Sequence, residues 1–135
     1  MRKNEFFGDA ISIYTRAQAI EDGQLIDVSE TAREAGFKYP VALTAAAWAD
    51  CVAWTDDDNE KQTYQDESGR LWDVLFMASH GIQTSKTSGD RLSFQLYCVP
   101  RDGHSTEAEL VTLKLIIGPG DTPEPVITIL LPNED

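Results

Sequence analysis

The chain has 135 residues, a length that fits one domain with a single hydrophobic core. Its content of 41% hydrophobic and 25% charged residues excludes wholesale disorder. Lys and Arg total 11 against 23 Asp and Glu, giving a formal net charge of -12. This charge argues against direct binding to nucleic acid or to an anionic membrane, because the field of the protein repels phosphate. The same field attracts a protein partner with a basic surface.

The first predicted element is a short helix with a signal at each end. Thr15 and Gln18 have the spacing of a capping box, which predicts a helix from about Arg16 to Asp22. Gly23 then ends the helix, since glycine readily adopts the left-handed conformation of many helix termini. The apolar residues from Leu25 to Val28 predict a brief extended segment.

A second short helix is predicted directly afterwards. Ser29 or Thr31 is its expected N-cap, with Glu34 at capping-box spacing from Thr31, and Gly36 is its expected end. Two helices this short are marginal alone, so we expect them to pack against the rest of the protein. The stretch from Phe37 to Leu43 could form a strand.

The middle of the chain predicts two longer helices separated by a loop. Thr44 can cap a helix from Ala45 to Trp54, and the acidic run from Asp56 to Glu60 is expected to break it. The next helix begins at about Asp66 or Arg70 and runs to Ser79.

This later helix is expected to end at Gly81. Its apolar residues are Leu71, Trp72, Leu75, Phe76, Met77 and Ala78. So broad an apolar face predicts burial on most sides of the helix.

The last third of the chain predicts strands. Apolar residues alternate with polar ones from Arg91 to Val99 and from Glu109 to Ile117, and a third strand is expected from Val126 to Leu131. The connections are too short for parallel crossovers, which favours a three-stranded antiparallel meander. The chain is therefore predicted to be a single α+β domain over residues 1–135, with short N-terminal helices and two longer helices packed on this meander.

Acidic residues are concentrated between Asp50 and Asp73, where Lys61 and Arg70 are the only cations. Charge runs of this kind usually form a solvated surface that keeps a protein soluble. The alternative is a surface that recruits a basic partner. The candidate partner-binding residues are Asp56, Asp57, Asp58, Glu60, Asp66 and Glu67.

The acidic run has part of the spacing of a calcium-binding loop. Asp56, Asp58, Glu60 and Glu67 fall at four ligand positions of an EF-hand, but Lys61 stands where the sharp turn requires glycine. A specific calcium site is therefore not expected.

Zinc binding and cysteine chemistry are disfavoured as well. Cys51, His80, Cys98 and His104 lack the short paired spacings of a structural zinc site. Both thiols are expected to be reduced and buried as small apolar groups. The glycine-rich turn that begins at Gly118 leads into a strand, not into a helix that could hold a phosphate. No metal or other cofactor is expected, and no catalytic residue stands out.

A small-molecule site remains as the alternative to a protein-binding role. Tyr14, Arg16, Asp27 and Trp54 could line a pocket where the helical layer meets the sheet, which is a usual place for ligands. In that case the protein is a small enzyme or a ligand-binding protein.

The blocks from Tyr14 to Gly36 and from Gly118 to Asp135 carry a family resemblance that extends over the chain from Phe7. The chain resembles a family of small uncharacterised proteins encoded on bacterial plasmids, integrative elements and phages. The resemblance implies a cytoplasmic accessory protein of mobile DNA, and it carries no catalytic residues over to this sequence.

The favoured hypothesis is a non-catalytic acidic protein that binds an unidentified protein with a basic surface. A specific form of this hypothesis is inhibition of a host or defence protein that handles nucleic acid. The first residues lack the apolar core of a signal peptide and no apolar run is long enough to span a membrane, so a cytoplasmic location is expected.

Overall fold

The computed structural model describes residues 14–86 and 89–134. The helices are α1 (Arg16–Glu21), α2 (Ser29–Glu34), α3 (Ala45–Cys51), α4 (Asp56–Lys61) and α5 (Glu67–Thr84). The strands are β1 (Leu25–Asp27), β2 (Val41–Thr44), β3 (Arg91–Cys98), β4 (Glu109–Pro119) and β5 (Pro125–Leu130). The predicted α+β class is confirmed.

The predicted three-stranded antiparallel meander is wrong, because the described strands form a five-stranded mixed sheet in the order β1-β2-β5-β4-β3. The three C-terminal segments are strands, and β4 pairs antiparallel with both β3 and β5. However, β2 pairs parallel with β5, and β1 pairs antiparallel with β2. The two early extended segments therefore widen the sheet beyond the hairpins of the last third.

Strand β2 is the element that turns the meander into a mixed sheet. Val41, Ala42 and Leu43 are each fully buried, so successive side chains on both faces of the strand are covered. A short apolar run without alternation is typical of a strand buried on both sides. The parallel pairing with β5 is possible because the crossover is long and contains α3, α4, α5, β3 and β4.

The hydrophobic core lies between one face of the sheet and the helices α2, α3 and α5. Leu43, Ile129 and Leu115 lie side by side on three neighbouring strands, and each is fully buried. Leu75 and Ala78 of α5 pack into the same cluster. The core is thus built from both the early and the late parts of the chain.

Helix α1 contacts the opposite face of the sheet. Its Arg16 guanidinium donates hydrogen bonds to Thr128 Oγ1 at 2.7 Å and to the Ile127 carbonyl at 2.8 Å. Side chains alternate along a strand, so Thr128 lies on the face that is turned away from Ile127 and Ile129. The sheet therefore has helical structure on both sides.

The start of the chain confirms several local predictions. The reciprocal capping box between Thr15 and Gln18 is present at α1. Gly23 and Gly36 follow α1 and α2 with φ values of +80° and +98°, the left-handed conformation predicted for both. The predicted cap of α2 is wrong: the helix begins at Ser29 without a side-chain cap. Ser29 Oγ instead accepts a hydrogen bond from the Val41 amide at 3.0 Å, because the neighbouring strand offers a donor there.

The middle helices differ from the prediction at their boundaries. Helix α3 ends at Cys51 and not at Trp54, because the amides of Val52 and Ala53 both bind the Trp48 carbonyl and close its last turn. The acidic run predicted to be a loop is the helix α4.

Helix α5 continues past its predicted end. Gly81 lies within this helix, which runs to Thr84. A Cβ atom at Gly81 would approach Phe94 Cβ to 3.2 Å, so this glycine allows close packing of α5 on β3. The face expected to be buried on most sides is also partly exposed, with Trp72 at 40% and Phe76 at 58%.

Candidate functional site

The acidic segment is an ordered helix that begins with a capping box. The Thr55 amide donates to the Asp58 carboxylate at 2.8 Å, and the Thr55 hydroxyl in turn accepts from the Asp58 amide. Asp56, Asp57 and Asp58 occupy the first turn, where negative charge interacts favourably with the helix dipole. The sequence signal for this helix was the threonine followed three residues later by an acid, a pattern of helix N-termini.

Among the six predicted partner-binding acids, Asp58 is buried and has a structural role. Its carboxylate accepts a hydrogen bond from Arg101 Nε at 2.8 Å as well as those from Thr55. Burial opposes ionisation, but the hydrogen bonds from Thr55 and Arg101 together lower the pKa of Asp58. This carboxylate therefore stabilises the N-terminus of α4 and does not face solvent.

The loop between β3 and β4 holds the other end of α4. Gln62 Nε2 donates to the carbonyls of Pro100 and Ser105 at 2.7 and 2.6 Å, and Gln62 Oε1 accepts from the Gly103 amide. Within this loop, hydrogen bonds from Ser105 and from the His104 amide lower the pKa of Asp102 well below its usual range. The acidic helix is thereby fixed at both ends.

The other predicted acids lie at the surface, and three of them have local partners. Asp57 pairs with Lys61 at 2.9 Å, and Asp66 caps α5 by accepting from the Gly69 amide. Glu67 accepts a long hydrogen bond from the Trp54 amide at 3.4 Å. Asp56 and Glu60 are exposed and make no hydrogen bond or ion pair with another described residue.

Three exposed aromatic rings lie in the same segment of the chain as these carboxylates, and the sequence patterns did not indicate their exposure. Tyr64 is 80% exposed in the link between α4 and α5, and Trp72 and Phe76 follow on α5 at a spacing of four residues. Tyr64, Asp66, Trp72 and Asp73 line a shallow cavity of about 380 Å³, together with Gln65, Gly69 and Arg70. The acidic-aromatic face is defined as the exposed acids and rings between positions 56 and 76, namely Asp56, Asp57, Glu60, Tyr64, Asp66, Glu67, Trp72, Asp73 and Phe76.

Of the four residues of the predicted small-molecule pocket, Arg16 and Asp27 lie near each other, whereas the side chains of Tyr14 and Trp54 have other partners. Tyr14 donates to Asp22 at 2.9 Å. Arg16 interacts electrostatically with Asp27, although burial lowers the pKa of the arginine overall. Trp54 instead donates from Nε1 to Asn59 Oδ1 at 2.8 Å and lies against Arg70.

The row of strand residues beneath Arg16 explains its proximity to Asp27. Asp27, Ala42 and Thr128 are register partners across three neighbouring strands, so their side chains share one face of the sheet. This is the face opposite the hydrophobic core, which places Arg16 and Asp27 away from α3 and α5.

A cavity of about 700 Å³ lies at the end of α3. Its charged lining consists of Asp50, Arg101, Asp102 and Glu109. None of the residues predicted to form a pocket lines it.

The four residues considered as zinc ligands do not converge, but two of them lie near each other. Cys51 and Cys98 are buried free thiols that line the same two cavities. His104 is exposed and lies 3.6 Å from Asp102, while His80 lines a different cavity. Across residues 14–86 and 89–134, no group of three or more His, Cys, Asp or Glu side chains is placed to hold a metal ion.

The fold and these surfaces define an acidic α+β protein with a five-stranded mixed sheet and an exposed acidic-aromatic face. Residues 3–135 match the family of unknown function DUF6573, and the chain belongs to this family. No curated protein and no solved structure matches the chain. The described helices include none that combines the length and the apolar character needed to cross a membrane.

Proposed function

We propose that this protein is a non-catalytic binding protein whose acidic-aromatic face takes a partner with a basic surface. The observation that carries the proposal is the cavity where the exposed rings of Tyr64 and Trp72 lie beside Asp66 and Asp73. The same segment of the chain carries the exposed acids of α4. Aromatic residues are enriched at the centres of protein interfaces, and carboxylates provide complementarity to lysine and arginine.

The cavity beside Tyr64 and Trp72 suits a basic side chain of the partner. Two exposed rings and the carboxylates of Asp66 and Asp73 line it. Arg70 also lines it, but its guanidinium is engaged with the carbonyls of Val52 and Val99. A guanidinium or ammonium group over an aromatic ring gains about 0.5–2 kcal/mol, more as it is desolvated. The capped ends of α4 and α5 hold these groups in place before binding, which reduces the entropic cost of association.

The net charge of the whole chain supports the same choice of partner. At -12, the protein attracts basic surfaces over a distance set by the ionic strength. Proteins that handle nucleic acid have such surfaces. The resemblance to proteins of plasmids, integrative elements and phages favours a cytoplasmic role in mobile DNA, in which the partner is a host or defence protein and binding blocks its nucleic-acid site.

The test is affinity capture from a bacterial lysate with the full chain and with a face variant. The variant combines Asp56→Asn, Glu60→Gln and Asp73→Asn, three exposed carboxylates without a hydrogen bond or ion pair to another described residue. We expect a basic protein to be retained by the unmodified chain at low salt, released as salt rises, and lost with the variant.

The matched control combines Glu21→Gln, Glu30→Gln and Glu34→Gln, which removes the same amount of charge from α1 and α2. This control is expected to retain the partner. Equal losses with both variants would show that only net charge matters, and equal retention by both would place the binding surface elsewhere. Either result contradicts the proposed face.

The alternative proposal is a ligand-binding protein or small enzyme. The cavity of about 700 Å³ at the end of α3 favours it, because its size falls in the usual range for small-molecule sites and charged groups line it. A thermal-shift screen against nucleotides and metal ions separates the two proposals, since a ligand that binds the folded state raises the melting temperature.

A further inference from the structure

Two cysteines that are distant in the sequence meet inside the protein. Cys51 is the last residue of α3 and Cys98 is the last residue of β3. The two residues line the same two cavities and are 2% and 8% exposed. Neither the fold nor the proposed partner binding requires two thiols to share these cavities.

A buried arginine fixes the backbone on which each cysteine lies. Arg70 donates from Nε to the Val52 carbonyl and from Nη1 to the Val99 carbonyl, both at 3.1 Å. Val52 and Val99 directly follow the two cysteines in the sequence. One guanidinium therefore holds both thiol-bearing segments at a fixed separation.

The two thiols affect each other's acidity in opposite directions. The interaction with the Cys51 thiol and the nearby charge of Arg70 lower the pKa of Cys98, although burial opposes its ionisation. The interaction with Cys98, together with burial, raises the pKa of Cys51. Both residues line the cavity of about 700 Å³, which gives a small oxidant a path from solvent.

We propose that Cys51 and Cys98 form a redox-active dithiol that closes to an intramolecular disulfide when a hydroperoxide enters this cavity. The Cys98 thiolate attacks a peroxide oxygen, the O–O bond breaks, and the leaving oxygen takes the electron pair and a proton. Cys98 is then a sulfenic acid. The Cys51 sulfur attacks the Cys98 sulfur, the S–O bond breaks, and water leaves with the Cys51 proton. The two sulfur atoms lose two electrons in total and the peroxide gains them.

A dithiol reductant reverses the reaction by thiol-disulfide exchange, and the two protons return to Cys51 and Cys98. The disulfide joins the end of α3 to the end of β3, so it restricts the unfolded chain and raises resistance to denaturant. This inference goes beyond the proposed partner binding and does not depend on it.

The test treats the folded full chain with hydrogen peroxide, then alkylates it in denaturant and measures its intact mass. We expect a monomer that has lost two hydrogen atoms and has no alkylated cysteine, and restoration of both thiols by dithiothreitol. The reaction of the folded chain should be about tenfold or more faster than that of the urea-unfolded chain, because the fold positions the two sulfur atoms. The oxidised chain should unfold at a higher urea concentration.

Single substitutions assign the two roles. In Cys51→Ser, Cys98 is expected to accumulate as a sulfenic acid that dimedone traps, whereas in Cys98→Ser the remaining Cys51 is expected to stay a thiol. Arg70→Lys keeps the positive charge but not the bonds to both carbonyls, so we expect its folded form to close the disulfide more slowly. The proposal is overturned if the oxidised wild-type chain keeps two alkylatable thiols, forms disulfide-linked dimers, or carries a sulfinic acid at Cys98 beside a free Cys51.

Discussion

At the scale of single residues, two buried charged groups connect distant parts of the chain. Arg70 lies with its guanidinium 4.6 Å from the centroid of the Trp54 ring and donates to backbone carbonyls beyond α3 and β3. Asp58 joins the start of α4 to Arg101 in the loop between β3 and β4. A buried charge is costly unless it is hydrogen-bonded, so the partners of both groups are needed for the fold.

The lowered pKa of Asp58 leads to a prediction about acid stability. A carboxyl group whose pKa is lower in the folded state stabilises the fold above its unfolded pKa of about 3.9, and this contribution is lost as the pH falls towards the folded value. We therefore expect the free energy of unfolding to decrease below about pH 4. In Asp58→Asn this decrease should be smaller, while the stability at neutral pH should be lower because the bond to Arg101 loses its charge.

Urea unfolding followed by circular dichroism over a series of pH values checks this prediction. Asp56→Asn is the matched control, because Asp56 is an exposed neighbour in the same helical turn. If both variants keep the pH dependence of the wild-type chain, the assigned role of Asp58 is wrong.

At the scale of elements, α1 receives a second cap from the far end of the chain. The Asp121 carboxylate, in the turn between β4 and β5, accepts from the amides of Arg16 and Ala17 at 2.7 and 3.0 Å. The first amides of a helix have no partner within the helix, and a carboxylate satisfies them while it interacts with the helix dipole. A six-residue helix is unstable alone, so its position depends on this turn and on the Arg16 contact with β5.

Loss of this cap is expected to loosen α1 selectively. Asp121→Ala should lower the free energy of unfolding by about 1 kcal/mol, a common value for the loss of a helix cap. The amides of Arg16–Glu21 should exchange with deuterium faster, while those of β5 stay protected. Hydrogen exchange with mass spectrometry measures both.

Glu124→Ala is the control for this substitution, since Glu124 is exposed in the same turn and its side chain makes no hydrogen bond or ion pair with another described residue. We expect no change in the exchange of α1 in this variant. Equal exchange in the wild-type chain and in Asp121→Ala would argue that α1 does not depend on the remote cap.

At the scale of the whole molecule, β5 is the strand that joins the two halves of the sheet. It pairs with β2 from the first half and with β4 from the second. Ile129 on β5 lies between Leu43 and Leu115, and all three are fully buried. Helices α2, α3 and α5 and the strands of both halves of the sheet therefore share one core.

Shortening the side chain of Ile129 is expected to destabilise the entire protein. Ile129→Ala should lower the free energy of unfolding by about 2–5 kcal/mol, because it removes buried contacts and leaves a cavity. Ile116→Ala is a matched comparison, since Ile116 pairs with Thr128 on the opposite face and is half-buried. Urea unfolding should show a smaller loss for Ile116→Ala, and equal losses would contradict a core confined to one face.

The acidic surface was predictable in part. The concentration of carboxylates could be located from the sequence. The sequence did not indicate that one of them points inward while the others point outward. The Asp58 carboxylate points inward because Arg101 and Thr55 donate hydrogen bonds to it. Arg101 lies in the loop after β3, so α5 and β3 separate it from α4 in the sequence. The exposed rings of Trp72 and Phe76 were missed because helical periodicity describes which residues share a face, not whether another element covers that face.

The sequence by itself determined the local features of this protein. The capping box at Thr15, the left-handed glycines at positions 23 and 36, and the strands of the last third depend on interactions between residues close in sequence. Local patterns therefore carried enough information to predict them.

Only the tertiary structure decided which segments became neighbours. The parallel pairing of β2 with β5, the cavity that Cys51 and Cys98 share and the inward position of Arg70 each join segments that are distant in the chain. Such contacts form because the assembled core excludes water and leaves polar groups to find partners inside it. The need of buried polar groups for partners cannot be read from any short stretch of residues, because it arises only when the helices and strands pack together.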